Sequence, residues 1–306
     1  IDVQKFEFSS KNNFSFNISK NFKFSNFKVE SIIDLNQVII DENKLKLKTY
    51  FKNFVKKVKL EKHKIIINYD KNDFKINGNG NILLEEKSDS VKYQITKNKD
   101  NLSFDLKLNL KSNSLLVDFL NYEKKEGIGS LVLVKGNITK NSKFNLDLIN
   151  LTENDNEILI KGLVLDKNFK IKDIKNFNIN YKNDKKIFNK LKIKKSNSNF
   201  IIEGENFDAS KIINNLFNSD DDSASIFENL NTKINIKIKK TYIDEFNYIN
   251  NLNGNIDFNN NKISNLKLGA IFPNQKKINL SIKTNDNSET ITKLFSAYPK
   301  PLVKRY

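Results

Sequence analysis

Apolar and polar residues alternate with a period of two along much of the chain. From Leu102 to Leu110, in the stretch LSFDLKLNL, every even position is apolar and every odd position is polar. Successive side chains of a β-strand point to opposite faces, so this pattern predicts a strand with one apolar and one polar face. The same alternation recurs at residues 14–18, 22–24, 45–47, 144–148, 177–181, 234–238 and 266–268.

Short runs of Asn, Asp and Gly separate many of these stretches and predict tight turns between antiparallel strands. They lie at residues 70–73, 77–80, 135–137, 253–255 and 259–261. Helical spacing behind possible N-caps, such as Asp208 or Ser210, predicts short amphipathic helices at residues 207–217 and 287–295. Weaker helical candidates lie at residues 115–122 and 50–58.

The strand-then-helix pattern repeats with divergence near residues 100–125, 199–217 and 278–296. No composition shift marks a domain boundary, so we expect one continuous segment across residues 1–306. The chain begins at Ile1 and contains no Met, which suggests a segment of a longer protein. The predicted fold is all-β: a long, twisted, repetitive antiparallel sheet that forms a groove, with a few short helices.

The positive charge changes this picture little. Lysine and arginine outnumber the carboxylates by 53 to 36, giving a formal charge of +17. Arg305 is nevertheless the only arginine, and arginine is the usual reader of phosphate and guanine. The lysines mostly occupy polar positions of predicted strands, so we expect solvated faces and no nucleic-acid partner. A functional basic surface, suited as well to anionic lipid headgroups, is the alternative.

Familiar catalytic motifs are missing from the sequence. There is no cysteine, His63 is the single histidine, and no phosphate-binding, nucleophile-elbow or zinc-protease motif occurs. His63 is interpreted as an exposed or strand-edge residue. The aspartates within residues 218–225 predict a polar loop, with a metal-binding loop as the alternative. We therefore expect no enzyme, no cofactor and no metal site. Apolar runs such as residues 131–134 are strand-sized and too short to span a membrane.

An apolar sheet face must be covered, either by a packed core or by a ligand. Acyl chains suit a continuous apolar track, because exposing each methylene to water costs about 0.8 kcal/mol. The alternating apolar residues are therefore the candidate lipid-binding positions: Leu102, Phe104, Leu106, Leu108, Leu110, Phe144, Leu146, Leu148, Phe177, Ile179, Ile234, Ile236 and Ile238.

Three segments resemble the AsmA-like family of bacterial envelope proteins, in particular the C-terminal AsmA-like region of YhdP-type members. They are residues 199–210, residues 278–286 and the stretch from Leu120 to Gly136. The resemblance implies a non-catalytic section of a bridge-like lipid-transfer protein of a Gram-negative bacterium. Such a protein is anchored in the inner membrane by parts outside this segment and crosses the periplasm. Its β-groove shields phospholipid acyl chains on their way to the outer membrane.

Two other functions stay open from the residues alone. The first is a structural or protein-interaction β-solenoid whose apolar positions form an ordinary packed core. The second is a basic β-domain that binds nucleic acid, which the presence of only one arginine disfavours.

Overall fold

A computed structural model describes residues 2–41, 46–71, 73–98, 101–139, 143–213, 230–285 and 289–303. The described residues lie mostly in β-strands, which confirms the predicted all-β class. The chain divides into two compact units, Ile1–Val117 with Glu123–Asn154, and Asp118–Tyr122 with Asp155–Tyr306. The groove and the single continuous segment stay predictions.

The first unit is built on an antiparallel sheet of consecutive hairpins. Its hydrogen-bonded order is β1-β2-β3-β4-β5-β6-β9-β10. The strands are β1 (Asp2–Ile18), β2 (Phe24–Asp41), β3 (Lys57–Asp70), β4 (Asp73–Leu83), β5 (Ser88–Asn98), β6 (Asn101–Leu110), β9 (Ser130–Ile138) and β10 (Phe144–Glu153). A 3-10 turn, Leu47–Thr49, precedes β3, and β7 (Leu115–Val117) and β8 (Tyr122–Lys124) form a separate ribbon.

The sheet of the second unit is mixed. β11 (Asn156–Leu165) pairs with both β12 (Ile171–Asp173) and β13 (Asn176–Lys182), and the order then runs from β13 through to β20. The remaining strands are β14 (Phe188–Ser196), β15 (Asn199–Asp208), β16 (Thr232–Tyr242), β17 (Tyr248–Asn259), β18 (Lys262–Ile271), β19 (Lys277–Thr284) and β20 (Thr290–Ser296). A short helix, Lys300–Val303, follows β20.

One strand pair corrects the prediction of a purely antiparallel sheet. β15 and β16 run parallel, with Ile202 opposite Ile236 and Glu203 opposite Lys237. A parallel pair requires a crossover of about a dozen residues or more. Residues 209–231 supply that length between the two strands. The candidate metal-binding loop at residues 218–225 belongs to this connection and lies outside the described residues.

Two predicted turns are confirmed and three are wrong. Residues 70–73 connect β3 to β4, and residues 259–261 connect β17 to β18. Residues 77–80, 135–137 and 253–255 instead lie inside β4, β9 and β17. Their glycines allow close approach across the sheet, because a Cβ atom at Gly78 would meet the ring of Tyr93.

Most of the predicted helices are replaced by strands or turns. Residues 290–296 form β20, whose β-branched Thr290, Ile291 and Thr292 pair with the edge of β19. Residues 115–122 hold only the 3-10 turn Asp118–Leu120 between β7 and β8. Residues 50–56 are turns and bends without a helix. In the 207–217 candidate, Phe207 and Asp208 end β15, residues 210–213 are helical, and residues 214–217 are outside the described residues.

Candidate functional site

All candidate residues of the first unit except Leu148 lie on one apolar face of the sheet. Leu106 on β6 lies opposite Tyr93 on β5 and Val134 on β9, and Phe104 lies opposite Ile95. Residues opposite each other in neighbouring strands share a face. The face extends along the register to Ile65 and Ile67 on β3 and to β2 and β1, which the candidate set had missed. We call this surface the apolar face of the first unit.

Seven of the candidates fit this face and one does not. Leu102, Phe104, Leu106, Leu108 and Leu110 follow one another along β6, and Phe144 and Leu146 continue the face on β10. A β-bulge then shifts the pairing, so that Leu148 lies opposite Lys135. Lys135 forms an exposed ion pair with Asp105 on the polar face. Ile149 and Leu151 carry the apolar face onward in place of Leu148.

The apolar face of the first unit is incompletely covered. Leu102, Phe104, Leu106 and Leu108 are only half-buried, while Leu110 at the end of β6 is 1% exposed. Exposure rises towards β1, where Phe6, Phe8 and Phe14 are 58%, 49% and 66% exposed. Side chains inside a sandwich core would be buried on both sides of the interface. The half-buried strands thus present a surface on which an apolar partner can pack.

One end of this face is closed by a small core. Phe51 and Phe54, from the segment between β2 and β3, are buried against Leu84 and Leu110, with Leu108 and Val132 packed alongside. The closing segment belongs to the region predicted as a helix, and its two phenylalanines act instead as a cap. Phe51 and Phe54 therefore cover the apolar face at one margin of the sheet, next to the ends of β4 and β6.

The candidates of the second unit also share a face. Ile234, Ile236 and Ile238 on β16 lie beside Phe200, Ile202 and Gly204 on β15. On β13, Phe177 and Ile179 lie opposite Ile193 and Leu191 of β14, which connect to β15 through the same register. Ile179 and Ile238 are buried, whereas Phe177, Ile234 and Ile236 are half-buried. We call this surface the apolar face of the second unit.

This face too has a packed end. Ile243, Ile249, Ala270 and Phe272 form a buried cluster against which Tyr298 and Leu302 pack from the C-terminal segment. The rings of Phe272 and Tyr298 meet edge to face at 5.5 Å. Each unit therefore combines a half-covered apolar face with one well-packed margin.

His63 is buried in the first unit, which corrects its interpretation as an exposed residue. Its side chain is 2% exposed and packs over Gly80. Nε2 lies 2.9 Å from the carbonyl oxygen of Asn81, which can only accept, so Nε2 carries the proton and Nδ1 accepts from the Tyr93 hydroxyl at 3.3 Å. Burial lowers the pKa of His63, and the Asn81 carbonyl offsets part of that shift.

A buried polar network supports the closed end of the first unit. Asp89 accepts hydrogen bonds from the backbone N–H groups of Lys111, Ser112 and Asn113 and from the Asn113 side chain. Burial alone would raise the pKa of Asp89, but these hydrogen bonds lower it overall. Lys124, fully buried, donates to the carbonyl oxygens of Lys111 and Asn113. Burial lowers the pKa of Lys124, opposed by the carboxylates of Asp89, Glu153 and Glu126.

A second network lies at the closed end of the second unit. Asp208 accepts from the side-chain amides of Asn183 and Asn121 and from the backbone N–H of Ser210. The Tyr181 hydroxyl donates to the Leu120 carbonyl, and burial, with the nearby Asp208 charge, raises the pKa of Tyr181. These groups satisfy one another's hydrogen bonds, as buried polar groups in folded proteins usually do.

Neither network offers an obvious metal site. Among the described residues no cluster of three or more His, Asp or Glu side chains is arranged to hold an ion. No helix in the described part of the chain is long and apolar enough to cross a membrane.

The protein matches no family model, no curated protein sequence and no solved structure at a significant level.

Proposed function

We propose that this chain is a non-catalytic section of a lipid-transfer scaffold that shields phospholipid acyl chains along its apolar sheet faces. The observation that carries the proposal is the incomplete burial of the alternating residues around Leu106 and Ile236. The resemblance to the AsmA-like family adds a setting. In it, the chain is the periplasmic part of an inner-membrane-anchored protein and contributes to a groove between the two membranes.

The size of the apolar faces suits an acyl chain. Eight paired strands at about 4.8 Å spacing span roughly 34 Å in the first unit, and one leaflet of a bilayer core is about 15 Å thick. Removing a tail of about 15 carbons from water stabilises it by about 12 kcal/mol. A continuous apolar surface supplies that free energy at every position along a path, whereas a single pocket supplies it once.

Lipid mass spectrometry of the purified chain tests the proposal. We expect phospholipid to co-purify with the unchanged protein and to be largely lost from a Leu106→Glu variant, because a carboxylate on the apolar face repels acyl chains. Ser103→Glu, an exposed change on the polar side of the same strand, is the matched control and should retain lipid. Circular dichroism confirms that both variants keep their strand content.

Lipid-free protein at normal yield would overturn the proposal, as would equal loss of lipid in both variants. A protein recovered instead in stoichiometric complex with another polypeptide, with the apolar faces occupied by that partner, would favour the interaction-scaffold alternative.

A further inference from the structure

The polar sheet faces of the two units differ in charge. In the first unit, lysines alternate with carboxylates, as in the ion pairs Lys28–Asp70 at 2.9 Å and Lys135–Asp105 at 2.7 Å. Asp34 lies opposite Lys64 in the β2–β3 pairing. The positive charge of this face is thus largely neutralised by neighbouring strands.

The second unit concentrates lysine on two strands, β14 and β16, which lie on either side of β15. Six exposed lysines lie on the polar side of β14 and β16: Lys190, Lys192, Lys194, Lys233, Lys237 and Lys239. The strand between them, β15, contributes Glu203 and Glu205 to the same side. Lys190 forms a 3.0 Å ion pair with Glu205 and thereby lowers the pKa of the Glu205 carboxyl. The positive charge of Lys239 lowers this pKa further. Four of these lysines, Lys190, Lys192, Lys237 and Lys239, line an open depression of about 480 Å³. Because these lysines outnumber the two glutamates, this side of β14 to β16 keeps a net positive charge.

The same side of the sheet carries exposed apolar residues at its edge strand. Ile291 lies opposite Lys283 and Phe295 opposite Asn279, so both point to the polar side of β19 and β20. Ile291 is 55% exposed and Phe295 is 58% exposed, with Lys293 between them. Exposed apolar side chains on the same side of a sheet as lysines are typical of proteins that bind at a membrane interface.

We propose that this lysine face docks on an anionic lipid bilayer. The lysines contact headgroup phosphates, and Ile291 and Phe295 insert into the interface. A nucleic-acid partner fits less well, because on this side of strands β14 to β16 only Phe188 offers an exposed aromatic ring for base stacking. The surface is the opposite side of the sheet from the apolar face of the second unit. Docking therefore stands independently of acyl-chain binding.

Vesicle co-sedimentation tests the docking. The full chain is mixed with phosphatidylcholine vesicles containing about a third phosphatidylglycerol, and with pure phosphatidylcholine vesicles, at about 0.1 M salt. We expect binding to the anionic vesicles only. Replacing Lys192, Lys237 and Lys239 together by Gln should weaken binding to the anionic vesicles about 100-fold. Each lysine then accounts for a factor of about ten or less. The double change Ile291→Ser and Phe295→Ser should weaken binding and leave its salt dependence in place.

The matched control removes the same charge from the first unit, by Lys→Gln at the exposed Lys64, Lys75 and Lys92. It should bind nearly as the unchanged protein does. Equal loss in both triple variants, or equal binding to uncharged vesicles, would overturn the proposal. So would tighter binding of a single-stranded DNA 20-mer than of anionic vesicles. Lipid co-purification, measured on the same triple variant, should be unchanged, which separates this outcome from failure of acyl-chain binding.

Discussion

At the residue scale, two glycines make room for two rings on the apolar face of the first unit. Gly78 and Gly80 lie next to each other on that face of β4 and receive the rings of Tyr93 and His63. The sequence predicts a turn at these two glycines, because Asn-Gly pairs are strong hairpin signals. Nothing local to residues 77–80 reveals the rings, which come from strands β3 and β5.

The close fit at Gly80 predicts a stability cost for any side chain there. Gly80→Ala places a methyl group against the buried His63 ring, so we expect the free energy of unfolding to fall by about 1–3 kcal/mol. Gly129→Ala is the matched control, since its Cβ meets nothing, and should stay within about 0.5 kcal/mol. Urea unfolding followed by circular dichroism measures both. Equal effects of the two changes would contradict this packing.

Buried His63 predicts a pH dependence of stability around the ordinary histidine pKa. The folded state holds the pKa of His63 below its usual value, so the unfolded chain takes up a proton first as the pH falls. Stability should therefore decrease from pH 7.5 to pH 5.5. Because His63 is the single histidine, the decrease should vanish in His63→Phe. Urea midpoints at the two pH values test this, and an unchanged slope in the variant would refute it.

At the element scale, period-two alternation predicted the longer strands, since the pattern depends only on which face each residue presents. The short runs at residues 22–24 and 45–47 predicted wrongly: residues 22 and 23 connect β1 to β2, and residue 47 begins the 3-10 turn Leu47–Thr49. Residues 102–110 and 234–238 are strands with the expected apolar faces. Register is less accessible from sequence. The bulge in β10 displaces Leu148, and helical spacing at residues 287–295 could not reveal that β19 would have a free edge to pair with. Asp89 and Lys124 were missed because their partners lie on other elements.

The Asp89 network predicts a large effect for a small chemical change. Asp89→Asn removes a buried charge that accepts three backbone N–H groups and offsets buried Lys124, so we expect a loss of about 3 kcal/mol. Asp105→Asn removes an exposed partner of Lys135 and should cost less than about 1 kcal/mol. Thermal and urea unfolding compare the variants at pH 7. A cost at Asp89 no larger than at Asp105 would show that the network is not stabilising.

At the scale of the whole molecule, each unit pairs a half-covered apolar sheet face with one packed end and one polar face. Half-buried apolar residues leave surface that an apolar ligand can stabilise. The sequence predicted the two-faced strands from alternation alone. It could not predict which end would be closed or where positive charge would remain, because both depend on pairing between distant strands.

Photo-crosslinking to phospholipid tests the central claim most directly. A photo-reactive residue replaces Leu106 or Ile236 on the apolar faces, and Lys92 or Lys107 on the polar face of the first unit, which takes no part in the proposed membrane docking. After illumination in living bacterial cells, mass spectrometry measures lipid adducts at each position. Acyl-chain binding predicts adducts at Leu106 and Ile236 well above those at both lysine positions. Equal labelling at all four positions, or no lipid adduct at Leu106 and Ile236, would contradict it.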